Sequence, residues 1–309
     1  MASILTDLKN RFKQGDIATR FIFVNAGIFL VLMLAKAASM VALRFDIVFH
    51  PYRWLECPAQ LGTLLTQPWS LVTYMFLHAD ALHLLFNMLW LSWFGKLFLY
   101  FFSSKHFRGV YILGGLCGGI FYILTYNLLS NLQTTTASGY LLGASASVLA
   151  IAVATAVREP DFRVNLLLIG TVKLKFLTLV LVATDLLLLL ITSDNSGGHI
   201  AHLGGALAGF WFAYALKQGY DPTKWINHTI DAVSRWFDRK PKTHKRPDMK
   251  AHFGGRAADY EFNAQKKKND AEVDRILEKL KKSGYESLTA EEKKSLFDAS
   301  KRYREKEQS

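Results

Sequence analysis

The chain has 309 residues, 51% of them hydrophobic, with 22 Phe, 7 Trp and a formal net charge of +12. The two cysteines, Cys57 and Cys117, stand in different settings, a loop and a Gly-rich apolar run, which argues against a disulfide framework. The basic residues sit in loops beside apolar segments and in the tail, so they read as membrane-topology signals rather than as a nucleic-acid patch.

The first 20 residues, MASILTDLKNRFKQGDIATR, are basic and amphipathic, and the apolar run after them is too long for the core of a cleaved signal. Six apolar segments then follow, each able to cross a bilayer as a helix. They run approximately over Phe21–Leu43, Trp69–Leu91, Phe107–Leu129, Tyr140–Val157, Val172–Ile191 and His199–Leu216. Lys9, Arg11, Lys13 and Arg20 precede the first. Lys96, Lys105 and Arg108 follow the second, Arg158, Arg163, Lys173 and Lys175 follow the fourth, and a basic tail follows the sixth. The intervening connections are poor in basic residues: Ser130–Gly139 has no charge, and Thr192–Gly198 has only Asp194. The positive-inside rule then puts both termini in the cytoplasm. The loop Arg44–Thr66, with Val48, Phe49, Trp54 and Leu61 among polar residues, is expected partly in the outer leaflet, with Tyr52 and Trp54 in its aromatic belt.

Three of the segments carry hydrogen-bonding side chains where a membrane helix should have none, and such groups usually mark function. They are His78, His83 and Asn87 in HADALHLLFN, Ser145 and Ser147 in GASAS, and His199 and His202 in GHIAHLGG. By the topology, segments two, four and six run in the same direction. Ser145 is expected about five residues inside the fourth, roughly 8 Å below its start, and His202 at similar depth in the sixth. His83 and Asn87 are four apart and share a helix face. Gly205 and Gly209 in GALAG, facing GASAS, offer the close backbone approach that joins helices in lipid. That approach would bring His202 within reach of Ser145. A serine is a weak nucleophile until a base takes its proton, and an imidazole titrates near neutrality, so the pair suits acyl transfer.

HxxxxHxxxN on the second segment, GxSx on the fourth and AHxxG on the sixth, with the PWSLVTYMFLH run ending at His78, resemble the rhomboid intramembrane serine proteases over about Phe21 to Leu216. The resemblance implies a six-helix, all-α membrane bundle. In it Ser145 is the nucleophile and His202 the general base of a dyad. His83, Asn87 and the Ser145 backbone N–H receive the oxyanion. His78, Gly143, Gly205 and Gly209 support the site. Two positions depart from the pattern. Ala146 stands where many members have Gly, and Leu149 stands where some have a Tyr stacked on the base, so packing is expected to hold His202. Ser147 is a rival nucleophile, but it falls on another helix face from Ser145. His199 reads as a polar residue near the start of its helix. Asp185, within the fifth segment, could act as a third triad member, but the family uses none, so it reads as a structural polar contact or a water-exposed group.

The fold expected is therefore a six-transmembrane-helix bundle with a small cytoplasmic helical extension. Its parts are residues 1–20, a membrane domain over 21–217, a juxtamembrane linker over 218–268 and a helical hairpin over 269–309. In the linker, Trp225, Ile226, Ile230, Val233 and Trp236 recur at helical spacing, which suits a helix on the anionic inner leaflet. HKRPDMKAHFGGRAADYEFNAQKKKN reads as flexible. In the hairpin, Val273, Ile276, Leu277 and Leu280 form one stripe, Ser283–Gly284 breaks it, and Thr289 with Glu292 forms a capping box. The tail is similar to those of bacterial rhomboid-like proteins, which implies a bacterial plasma membrane.

The expected activity is peptide-bond hydrolysis in or near transmembrane segments, with membrane proteins as substrates and the lipid bilayer as a partner. Neither a cofactor nor nucleic acid is expected. Two other readings use the same residues. One is an inactive rhomboid-like protein that binds membrane clients. The other is a metal site of His78, His83, His199 and His202, which would lack a carboxylate base and leave Ser145 unexplained.

Overall fold

The computed structural model describes residues 4–42, 51–129, 139–166, 170–191, 196–237 and 256–297. It divides into two compact units, Met1–Arg239 and Lys240–Ser309.

In the first unit, the amphipathic helix α1 (Ile4–Gln14) leads into α2 (Ile17–Ala42), which is apolar around its circumference. After a 3-10 turn, Pro51–Trp54, come the two-residue strand β1 (Cys57–Pro58) and the short helices α3 (Leu61–Thr66) and α4 (Ser70–Thr73). The long helices α5 (Ala81–Phe101) and α6 (Ser104–Leu128) follow. Strand β2 (Tyr140–Leu141) then precedes α7 (Ser145–Arg158). A hairpin of β3 (Arg163–Leu166) and β4 (Gly170–Lys173) leads to α8 (Leu174–Ile191), α9 (Ser196–Lys217) and α10 (Lys224–Phe237). Four helices are long and apolar enough to cross a membrane, namely Ile17–Ser39 of α2 together with α5, α6 and α8, and α7 is a shorter apolar helix.

Three of the expected spans begin later than their apolar runs. The second, expected from Trp69, is broken: α4 and a 3-10 turn (Tyr74–Phe76) end at the extended Leu77, and the long helix starts only at Ala81, where Asp80 caps it by accepting the His83 backbone N–H at 2.9 Å. A side-chain acceptor there satisfies a donor that the first turn leaves open. The fourth, expected from Tyr140, is helical only from Ser145. Tyr140 and Leu141 instead pair antiparallel with Pro58 and Cys57, and Gly143 adopts φ +131°, which a helix cannot contain. Ser145 is thus the first residue of its helix rather than about five residues inside it. The fifth gives Val172 and Lys173 to the hairpin, whose Asp161 bridges Lys173 and Lys175 at 2.9 Å each. Those hydrogen bonds, Lys175's first, hold the Asp161 carboxyl at about 2.

The core lies where α6, α7 and α9 meet. Ala146, Ala150, Ala154, Ala201 and Ala208 are buried, as is most of α7. Small residues let the backbones approach. A Cβ built on Gly205 would lie 2.2 Å from the Ala146 carbonyl oxygen, and one on Gly209 would lie 2.2 Å from that of Ala150. Dispersion over such a dry seam replaces the hydrophobic drive that lipid withholds. By contrast α8 buries only Leu174 and Thr178 near its start, and Leu179, Leu186, Leu187 and Leu190 are exposed.

The loop before α5 binds to this core. Ala59 N–H donates to the Gly139 carbonyl at 2.9 Å, and Cys57 and Ala59 are fully buried. Burial pushes the Cys57 thiol up to about 12. Trp54, Leu61, Leu65 and Trp69 are exposed. Val48 and Phe49, expected in the outer leaflet, lie outside the described residues. On α10, Ile226 and Asn227 are buried, with Asn227 accepting from Arg108 of α6, whereas Trp225, Val233 and Trp236 are exposed. Arg108 also binds Asp231 and holds its carboxyl below the usual range.

The second unit is a helix, α11 (Arg256–Ser283), a 3-10 turn (Tyr285–Ser287) and a further helix over 290–297. Helix α11 begins inside the stretch expected to be a flexible linker. After Gly254–Gly255, residues 256–268 are rich in Ala, Glu, Gln and Lys, strong helix formers that run on into the apolar stripe. Ile276 and Leu288 are buried, and Gly284 ends α11 at φ +76°. The Thr289–Glu292 capping box is formed: Glu292 Oε2 accepts the Thr289 N–H at 2.9 Å, and Thr289 Oγ1 accepts the Glu292 N–H at 3.3 Å. Lys279, hydrogen bonded to Glu292, holds that carboxyl down at about 2.

The seam makes a test of packing. Gly209→Ala puts a methyl against the Ala150 backbone and should cost about 1–3 kcal/mol, the scale of overpacking. Gly27→Ala on α2, where nothing lies within 4 Å, should be neutral or slightly stabilising. Unfolding in detergent reads both, and equal midpoints for Gly209→Ala and wild type would show the seam to be loose.

Candidate active site

The N-terminal turn of α5 sets the first cluster. Besides the Asp80 cap, the Ala79 N–H donates to His83 Nδ1 over a long 3.4 Å. An Nδ1 that accepts leaves the proton of a neutral ring on Nε2, an assignment that rests on this hydrogen-bond pattern. That edge of the ring lies over Gly143, where a Cβ would sit 3.1 Å from His83 Nε2 and 3.5 Å from Ser145 Oγ. One turn on, the buried Asn87 donates from Nδ2 to the His83 carbonyl at 2.9 Å, which leaves its second N–H free of that bond. His78 is buried, its ring edge-on to that of His83 at 5.2 Å, and its ring nitrogens have no hydrogen-bond partner among the described residues.

Ser145 stands half-buried at the start of α7, whose N-cap, Ala144, offers no side-chain acceptor. The first N–H groups of a helix lack intrahelical partners, so this uncapped turn presents open donors and the positive end of the dipole. The approach is fixed from below: the Gly143 N–H donates to the Tyr74 carbonyl at 3.0 Å, and the Tyr74 hydroxyl donates to the Gly115 carbonyl at 2.6 Å. Ser147 is turned to α6. It is fully buried, a Cβ on Gly115 would lie 3.0 Å from its Oγ, and that oxygen has no partner among the described residues.

His202 precedes Gly205 by three residues, and Ser145 precedes Ala146 by one, so the Gly205–Ala146 contact sets both at the same end of the seam. His202 also lies near enough to His83 to interact with it electrostatically. Packing alone, the expected restraint on His202, is not what holds it. Asp185 Oδ1 lies 2.7 Å from His202 Nδ1 and 2.8 Å from His199 Nδ1. His199 is accordingly tied to the same carboxylate rather than merely placed near a helix start, and the polar contact expected of Asp185 falls on both histidines. An ionised carboxylate only accepts, so both rings donate from Nδ1, and a neutral ring then keeps Nε2 as an acceptor. Among the described residues no hydrogen bond joins Ser145 Oγ to His202.

The four histidines weighed as a metal set do not form one cluster. Among the described residues, the group whose atoms could converge on an ion is Asp185, His199 and His202, and its closest approaches have hydrogen-bond lengths. Sequence reasoning missed one support of this site, Asp80, and set another, Asp185, aside. Asp80 was findable, as an Asp three residues before the His83 whose N–H it caps. Asp185 was weighed as a third member and set aside because the family uses none, and its pairing with His202 reverses that choice.

A site of this kind, on helices of this kind, defines an integral membrane protein of a known class. The model of the Rhomboid domain matches residues 65–219, half of the chain, and the chain belongs to the rhomboid family. Residues 257–302 match a family of unknown function, DUF6576. The chain is similar to two proteins of Arabidopsis thaliana. It is 32% identical to RHOMBOID-like protein 7 over 150 residues, 48% of this chain and 43% of that protein. It is 25% identical to RHOMBOID-like protein 12, mitochondrial, over 199 residues, 62% of this chain and 55% of that protein. The chain thus spans about half the length of the curated relatives it matches.

Ser147→Ala should leave stability within about 0.5 kcal/mol of wild type or raise it, since the hydroxyl it removes is buried without a partner. Unfolding in detergent measures this, and a loss well beyond that figure would reveal a bond to Ser147.

Proposed function

We propose that the chain is an active intramembrane serine endopeptidase that cuts membrane proteins in or near their transmembrane segments. The observation that carries this reading is the grouping around Gly143. There a serine at an uncapped helix N-terminus lies beside an imidazole edge that bears a proton, with His202 at the same end of the α7–α9 seam.

In this reading His202 Nε2 takes the Ser145 proton as Oγ attacks the scissile carbonyl. The oxygen that becomes negative is met by the Ser145 backbone N–H, His83 Nε2–H and the second N–H of Asn87. The proton passes from His202 to the leaving amine, and water, activated the same way, hydrolyses the acyl ester. No cofactor enters any step.

The finer architecture of the proposal is six crossings, with α7 and α9 joining the four long apolar helices, and both termini in the cytoplasm. Basic residues in alternate loops support that orientation, and the resemblance of the tail supports a bacterial plasma membrane. The exposed Trp225, Val233 and Trp236 of α10, flanked by Lys224 and Arg235, support contact with anionic lipid.

The other reading, an inactive rhomboid-like protein that binds membrane clients, draws on the missing Ser145–His202 hydrogen bond. Labelling by a fluorophosphonate probe decides between them. Label on wild type that is lost in Ser145→Ala supports the enzyme, and no label on folded wild type defeats it.

Ser145→Ala and His202→Ala should each abolish cleavage of a model transmembrane substrate, and the double variant should be no worse, because the two act as a unit. Near-normal cleavage by Ser145→Ala, read from gels and product masses, would dismiss Ser145 as nucleophile. Asn87→Ala should lower kcat by up to about 100–1000-fold with little change in KM, the scale of one lost oxyanion donor. An effect confined to KM would mean that Asn87 only positions substrate.

A further inference from the structure

Resting on that functional reading, we infer that Asp185 is a positioning residue that holds His202 as a base, making the working unit Ser145–His202–Asp185 with His199 as a brace on the carboxylate.

A carboxylate at membrane depth is costly unless its oxygens find donors. Asp185 is the one ionisable residue of the stretch Phe176–Ile191, whose other side chains are apolar save Thr178 and Thr184. It is only 13% exposed in its side chain, and its Oδ1 receives two imidazoles, His202 at 2.7 Å and His199 at 2.8 Å. The rings of these histidines are perpendicular, with centroids 5.9 Å apart, so they reach the oxygen from different directions. One donor would suffice to orient His202, and the second fixes the carboxylate itself. A neutral imidazole that donates from Nδ1 carries its lone pair on Nε2, the form a base needs. Without the acceptor the ring could turn or take the other tautomer, whose Nε2–H cannot accept a serine proton. Asp185 also stands opposite the proton that His202 gains in the transition state, which a carboxylate stabilises electrostatically. It touches neither substrate nor Ser145 in this scheme and acts through His202 alone.

Asp185→Asn tests this, because it keeps shape and volume and should fold. The amide can donate to Nδ1 and so present the wrong tautomer. The full-length protein should lose about 10-fold or more in kcat, at most the roughly 10⁴-fold seen when a serine-protease aspartate is so changed, with KM nearly unchanged. Asp185→Glu should recover part of the loss, and His199→Gln should cost much less than Asp185→Asn. Nitrogen-15 spectra of labelled histidines should show His202 protonated at Nδ1 in wild type and shifted towards the other tautomer in Asp185→Asn. Unchanged kcat and unchanged spectra in Asp185→Asn would overturn the inference. So would inhibition by a chelator with recovery on adding zinc, since the cluster would then hold a cation. If wild type neither cleaves nor takes the fluorophosphonate probe, the enzyme reading fails, while the spectra still report whether Asp185 sets the His202 tautomer.

Discussion

Hydrogen-bonding groups placed where water is scarce must find partners within the chain, and the upper part of this bundle is arranged by that requirement. Asp80 takes the His83 amide, Ala79 satisfies the His83 ring, and Asn87 turns back to the His83 carbonyl. Asp185 takes two ring N–H groups at once. Each bond also removes a choice. A neutral His83 ring is left with its proton on the edge that lies over Gly143, and a neutral His202 ring with a lone pair on Nε2. The same bonds that make the polar residues tolerable set which nitrogen of each ring can donate and which can accept.

The exceptions are as informative as the bonds. Ser147 keeps a buried hydroxyl without a partner among the described residues, and so does His78 with its ring. Ser147 is turned to α6, and His78 stands edge-on to His83. The first turn of α7 is open as well, with no side chain to cap it. In the first turn of α5, which Asp80 caps, the same shortage of acceptors has been met, so the open turn of α7 is a local choice of sequence rather than a habit of this fold.

Much of this was legible in the residues. The spacing of Gly205 and Gly209 announced a face for close packing, and the seam forms there against Ala146 and Ala150. The apolar stripe of the tail and its Thr289–Glu292 box were likewise readable, since local periodicity and capping depend on neighbours in sequence. Hydropathy was a poorer guide to where helices begin. The runs from Trp69 and Tyr140 are apolar throughout, but Asp80 and Gly143 decide the starts, through a side-chain cap and a positive φ. The charged stretch over 256–268 misled in the opposite sense, because charge suggested disorder where helix propensity prevailed. A place for Asp185 beside the base was legible in the residues and was set aside only because the family pattern has no third member. Apart from Lys175, Asp185 and two threonines, α8 is apolar, LKFLTLVLVATDLLLLLI, so no broad polar stripe marks which side turns to α9.

The seam between α7 and α9 also bears on how this chain can vary over generations. Glycine has no smaller replacement, so every change in the codon of Gly205 or Gly209 that alters the residue adds atoms against a carbonyl already at contact distance. Drift at these two sites therefore has one direction, and that direction is crowding. The leucines on the open side of α8 face no such wall, and one apolar residue there can stand for another. The part of the sequence free to wander is thus the outer surface of α8, and the part held still is a pair of positions that contribute no side chain at all.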